Sequence, residues 1–305
     1  MMRPTPIAVD AQVPHMSEIA FAAISVTFHG LTLAMVLYLI SVGLSVTMGL
    51  MGFVNLAHGA FAMAGGYVMT TLMNRWDLDF AWALLIAVAV VVAASLVLER
   101  LLYRRFYGGN ELDQVLLTMG LIFLSVGAAT YVWGPLTQPM RPPAVLSGQI
   151  SLFGRSLPAY RTFLIGCGAV IVTALWIGLE RTRMGTQLRA AVDNLRMAET
   201  LGINTSRLFA AAFGLGSGLA AVGGGLGADV LAISPSYALD NLVYFLIVVA
   251  VGGLGSIRGP FFVALVVGLA DTAFKYFIPE FGAFFMYALT MAILLRCPAG
   301  IFGRT

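Results

Sequence analysis

The chain has 305 residues, 60% of them hydrophobic and only 10% charged, with a formal net charge of +3 and a mean hydropathy of +0.93. A soluble globular protein carries about 25% charged residues, so this composition excludes an ordinary soluble fold and points to a bilayer as solvent. Nucleic-acid binding is excluded as well, because the arginines sit in short segments between apolar runs and not on one continuous face.

Residues 1–18 contain prolines and mixed polar and apolar residues, without a basic segment leading into a short apolar core. They read as a loosely ordered tail and not as a cleaved signal peptide, with Met16 as an alternative start. Residues 19–305 read as one transmembrane domain, since no polar stretch is long enough for a second one. Apolar runs cover 20–50, 55–73, 80–99, 112–133, 160–179, 207–228, 241–254, 260–278 and 282–296. They predict an all-α polytopic membrane protein of eight or nine transmembrane helices. The first run is long enough to tilt or bend near Gly30 or Gly43. The seventh is too short to cross alone if it stops at Gly252.

At the junction of the first two runs lies GLMGFVNLAHGAFAMAGG, residues 49–66. Asn55 and His58 are polar groups in an apolar setting, so they are expected to face the bundle interior or a cavity. Asn55 also suits an N-cap of the second helix. His58 reads either as a structural histidine or as a group on a transport path. Gly59 and its neighbouring glycines permit close helix contact.

The loop 99–111 holds Arg100, Arg104 and Arg105; the loop 134–160 is Pro-rich; the segment 180–207 holds Arg181, Arg183, Arg189, Arg196 and Arg207. The positive-inside rule places 99–111 and 180–207 in the cytoplasm and 134–160 outside. Counting spans both ways gives an N-out, C-in bundle, with Arg258, Arg296 and Arg304 inside.

Within 183–207, Leu188, Ala191, Val192, Leu195, Ala198 and Leu201 recur at helical spacing, with Asp193, Arg196 and Glu199 on the other side. This predicts one amphipathic helix outside the membrane, stopped at Gly202, with Asn204 opening a short turn. Such a helix either docks on a partner or lies on the membrane surface. Asp229 and Asp240 then bracket an outer loop. In AVGGLGSIRGPFF, residues 250–262, the glycines Gly252, Gly253, Gly255 and Gly259 and then Pro260 interrupt two apolar runs. The segment reads either as a tight cytoplasmic turn or as a broken helix beside a pathway, and with 49–66 it suggests pseudo-symmetric halves.

Asp271 and Lys275 stand four apart on one helix and are expected to pair. Cys167 and Cys297 lack a CxxC spacing, so neither a disulfide framework nor a metal site is indicated. A P-loop and a catalytic cluster are also missing from the sequence, so the chain does not read as an enzyme.

Four segments together resemble the inner-membrane permease of the branched-chain amino-acid ABC transporters, LivH type. They are GLMGFVNLAHGAFAMAGGYV (49–68), RAAVDNLRMAETLGIN (189–204), AVGGLGSIRGPFFVALVVGLAD (250–271) and LLRCPAGIFG (294–303). The resemblance runs from about residue 20 to the end. It implies an inner-membrane permease that forms the path with a second, LivM-type permease. Two cytoplasmic ATPases carry the ATP, and a periplasmic binding protein delivers the solute. This chain itself binds no cofactor. The resemblance makes 180–207 the ATPase coupling loop, with Arg189, Asp193, Asn194, Arg196, Glu199 and Gly202 as its candidate residues, although 189–204 departs from the strict EAA-then-Gly loop of the wider importer group. Asn55, His58, Gly59, Gly252, Gly253 and Gly255 become candidates for the path. The implied solute is a branched-chain or related amino acid, with urea, amides or other small polar solutes as alternatives. A self-contained secondary transporter or channel would instead need ionisable residues at mid-depth.

Overall fold

The computed structural model describes residues 16–152 and 155–297. The long helices follow the apolar runs. They are α1 (Met16–Met51), α2 (His58–Trp76), α3 (Phe80–Leu101), α4 (Glu111–Trp133) and α5 (Ala159–Arg181). Two short helices follow, α6 (Arg183–Asp193) and α7 (Leu195–Thr200). The rest are α8 (Thr205–Leu226), α9 (Tyr237–Asp240), α10 (Leu242–Gly252), α11 (Arg258–Phe277) and α12 (Gly282–Arg296). Six of the helical segments are long and apolar enough to cross a membrane. Tyr237–Gly252 and Tyr287–Arg296 are apolar but shorter. In α2 the glycines, threonines, Asn74 and Arg75 dilute the apolar character, and much of its surface is buried against α8.

The interior belongs to α1 and α8. Their apolar windows are 89% and 72% buried, against 22%, 17% and 22% for α3, α4 and α5. The outward faces of α3, α4 and α5 carry large apolar groups such as Trp82, Leu85, Leu116, Phe123 and Val170, as a lipid-facing surface requires. Small residues bring the central helices together. A Cβ added at Gly43 of α1 would stand 2.5 Å from the carbonyl oxygen of Gly216 in α8, and one at Gly224 of α8 would stand 1.9 Å from that of Ala62 in α2. Helix α1 runs unbroken through Gly30 and Gly43. These glycines are places of contact with Gly268–Leu269 and Gly216, and the helix does not end at either.

The 134–160 connection contains an antiparallel ribbon, β1 (Gln149–Leu152) and β2 (Arg155–Pro158), paired Ile150 to Leu157 and Ser151 to Ser156. It is also pinned to the 227–236 connection, where Gln138 N donates to Ile233 O at 2.8 Å. At the same end, Arg161 pairs with Asp229 at 3.1 Å and meets His29 Nδ1 at 2.8 Å, while Asp240 accepts from Ser236. The expected Asp271–Lys275 pair forms at 2.7 Å, with Tyr244 donating to Asp271 at 2.8 Å. Residues 1–15 of the expected tail, residues 298–303 of the closing motif and Arg304 lie outside the described residues.

Candidate functional site

Helix α1 ends at Met51, and Gly52 turns the chain with φ +58°. Residues 53–55 are neither helix nor strand, and α2 starts only at His58. The His58 ring meets the carbonyl of Ile40 through Nε2 at 3.1 Å. Ile40 lies eleven residues before the end of α1, roughly 16 Å along the helix axis at 1.5 Å per residue. Helix α2 therefore begins deep inside the bundle, and 52–57 is a re-entrant stretch.

Irregular backbone at such depth must find protein partners, and here polar side chains supply them. Gln114 Oε1 accepts from Val54 N at 3.0 Å, while its Nε2 donates to Phe106 O at 3.2 Å. Tyr103 OH donates to Asn55 Oδ1 at 3.2 Å, and Thr118 Oγ1 lies 3.5 Å from Val54 O. Burial pushes the Tyr103 phenol up, which keeps it a donor. Asn55 is only 1% exposed, and its Nδ2 has no partner among the described residues. Asn55 does not cap α2: the N-cap is Ala57, which makes no side-chain cap bond. The residues that sequence reasoning missed are Tyr103, Gln114 and Thr118. Gln114 and Thr118 stand four apart on one face of an apolar run, which was the available signal.

Gly59 packs against α9 and α10; a Cβ there would sit 3.3 Å from Ala238 Cα and 3.2 Å from the Phe245 ring. Helix α10 leads from that contact to the second glycine cluster. It ends at Gly252, after which Gly253 (φ +90°) and Gly255 (φ +75°) form a tight turn into α11. So 250–262 is a turn between two adjoining helices, one of them only eleven residues long. Gly252 and Gly259 meet so closely that a Cβ at Gly259 would stand 1.8 Å from Gly252 O. Gly255 N donates to Ser45 O at 3.0 Å; Ser45 Oγ donates to Ser256 O at 2.8 Å and stands 3.3 Å from Gly253 O.

The amphipathic stretch is not one helix. It breaks at Asn194, whose φ of −156° and ψ of 99° are extended, and whose Oδ1 accepts from Met197 N at 3.0 Å to cap α7. Asn194 joins two helices because its side chain replaces a lost backbone partner. Asn204 similarly caps α8, accepting from Arg207 N at 3.0 Å. Gly202 closes the segment at φ +82°. The expected faces hold over both helices: Leu188, Ala191 and Ala198 are buried, and Asp193, Arg196 and Glu199 are exposed. Leu201, expected on the apolar face, is instead 74% exposed, because it lies beyond the last turn of α7. Arg189 donates to the carbonyl of Leu179, and Glu199 accepts from Thr205 Oγ1 at 3.0 Å.

Helix α6 lies against the glycine turn. A Cβ at Gly255 would stand 3.0 Å from Val192 Cγ1. Between them opens a cleft of about 520 Å³ lined by Leu188, Arg189, Val192, Asp193, Leu254 and Arg258, among others. The structure thus brings Gly255 together with the amphipathic stretch, and buries Asn55, His58 and Gly59 elsewhere: Asn55 against Tyr103, His58 against α1, and Gly59 against α9 and α10.

A family model described as branched-chain amino acid transport system / permease component matches residues 26–294. The chain is 30% identical over 307 residues to the high-affinity branched-chain amino acid transport system permease protein LivH of Escherichia coli (strain K12), covering 95% of this chain and 98% of that one. It is 27% identical to the corresponding permease BraD of Pseudomonas aeruginosa, over 90% of this chain and 94% of that one. It is 28% identical to the probable permease LivH of Methanocaldococcus jannaschii, over 88% of each chain. No solved structure matches.

Proposed function

We propose, since this chain belongs to the family of branched-chain amino acid transport permease components, that it moves a branched-chain or related amino acid. The chain is a multi-pass membrane permease of a transport system and not an enzyme. The further reading is that it forms the path with a LivM-type permease in a bacterial inner membrane. Two cytoplasmic ATPases bind the ATP, and a periplasmic protein delivers the solute.

The observation that carries this reading is the seat of α6 on the Gly253–Ser256 turn. An amphipathic element outside the long spans, packed on the joint between two membrane helices, can pass a partner's movement to them. The orientation is N-out, C-in, supported by the Arg-rich α3–α4 and α5–α8 connections at one end and the ribbon at the other. Asn55, His58 and Gly59 bound the path on one side and the Gly252–Gly255 joint governs it from the other. Asn55, His58, Gly59, Gly252 and Gly253 are buried here, which fits a shut path. Arg189, Asp193, Asn194, Arg196, Glu199 and Gly202 form or shape the ATPase-facing surface.

Reconstitution tests this. With the partner permease, both ATPases and the loaded binding protein, proteoliposomes are expected to take up leucine only when ATP is hydrolysed. Uptake by the purified chain alone, without ATPases, would refute the reading. A cysteine at Gln187 is expected to react with an impermeant reagent from the cytoplasmic side alone.

A further inference from the structure

Helix α1 carries three buried hydroxyls in two turns, Ser41, Ser45 and Thr47. Thr47 Oγ1 bonds within its own helix, to Gly43 O and Leu44 O at 3.0 Å each. Ser41 Oγ has no hydrogen-bond partner among the described residues. Ser45 reaches across 211 residues of sequence to the glycine turn, donating to Ser256 O at 2.8 Å and lying 3.3 Å from Gly253 O. Its own carbonyl accepts from Gly255 N at 3.0 Å. One residue thus grips the turn from two sides, through its peptide and through its side chain.

One turn along α1, Gly49 meets the same turn backbone to backbone. A Cβ at Gly49 would stand 2.2 Å from Gly255 Cα. Val192 of α6 also packs on Gly255. Helices α1 and α6 therefore both touch the turn directly. The turn in its own right joins α10 to α11. The hydroxyl has one hydrogen, and its shorter bond is to the partly buried Ser256 carbonyl; without it that carbonyl loses this partner, while Gly253 O still accepts from Ser256 N at 3.3 Å.

We propose that Ser45 is the positioning residue that locks the seat of the coupling stretch to α1, so that movement of α6 reaches α1 and the α10–α11 joint as one rigid step. This rests on the coupling reading above. Without the hydroxyl, among the described residues only the Gly255 N to Ser45 O bond would tie the turn to α1, and the turn could pivot about that single point over the smooth Gly49 surface. The push on α6 would then be absorbed locally. Ser45 touches no solute; it acts through the turn.

The test uses the complete transporter in proteoliposomes and reads solute moved per ATP hydrolysed. In Ser45→Ala, ATP hydrolysis is expected to stay near the wild-type rate while the ratio falls about fivefold or more, the low end of ordinary coupling between sites. Ser41→Ala, which removes an equally buried hydroxyl from the same helix, is expected to keep the wild-type ratio. An unchanged ratio in Ser45→Ala, beside a coupled wild type, overturns the proposal. A wild-type complex that moves solute without its ATPases overturns the coupling reading instead. Should Ser45→Ala fail to assemble, a second measurement decides with Ser45 intact. Spin labels at the exposed positions Thr27 (α1), Leu254 (turn) and Leu116 (α4) report distances with and without ATP. The Thr27–Leu254 distance is expected to hold while Leu116–Leu254 changes. A Thr27–Leu254 distance that shifts as much as Leu116–Leu254 overturns the lock.

Discussion

Gly224→Ala is expected to destabilise the protein by roughly 2–3 kcal/mol, from overpacking and from the dispersion attraction given up when the helices move apart to relieve it. The added Cβ would stand 1.9 Å from Ala62 O. Ordinary contact begins near 3.4 Å, so α2 and α8 must part locally by 1.5 Å (3.4 − 1.9). One turn away on the same face, Gly65 lies under Ala221, where a Cβ would stand 2.5 Å from the carbonyl oxygen, so parting opens both places of close approach. A gap of 0.5–1 Å already forfeits about a quarter to a half of each dispersion well. Resisting the separation instead stores strain of about 1–3 kcal/mol. Gly120 of α4 has nothing within 4 Å of an added Cβ; Gly120→Ala should be neutral, or stabilising by up to about 1 kcal/mol through helix propensity. Thermal unfolding in detergent, followed by a thiol-reactive dye at Cys167, is expected to place Gly224→Ala about 5 °C or more below Gly120→Ala. Equal melting temperatures for the two variants would show that α2 and α8 do not meet at van der Waals distance, and the packing argument would fail.

The Asp271–Lys275 pair is asymmetric, since the Asp271 side chain is 2% exposed and that of Lys275 56%. Lys275→Ala leaves a buried carboxylate whose remaining partner among the described residues is Tyr244 OH, and is expected to cost about 3 kcal/mol. Asp271→Asn leaves a hydrated ammonium and a neutral amide, costing about 1 kcal/mol; melting temperatures in the reverse order would contradict this account. Asn194→Ala removes the α7 cap and is expected to weaken that turn by about 1 kcal/mol. Amide exchange at Met197 and Ala198 should quicken while α6 keeps its protection, and unchanged exchange at Met197 would show that the cap does not hold the turn.

What the sequence by itself determined is what depends on near neighbours. The apolar runs located the long helices because spanning length and hydropathy are properties of a segment. The faces of 183–200 were legible because Leu188, Ala191 and Ala198 share a helical period, and a single break at Asn194 leaves that phase nearly intact. The Asp271–Lys275 pair followed from one helical turn. Only the tertiary structure decided which helices form the interior. Hydrophobicity cannot separate α1 from α3, because lipid is as apolar as a packed core and both runs read alike. It also decided where α2 begins. Asn55 looked like a cap, but its partner Tyr103 lies 48 residues away and the re-entrant backbone leans on Gln114, 60 residues from Val54. Ser45 was invisible for the same reason: one of several small hydroxyls in an apolar run, it acquires a role only when folding sets two carbonyls from beyond residue 250 against it. Irregular backbone in a bilayer must be satisfied by groups that chain order does not bring near, so these partnerships exist only once the helices are assembled.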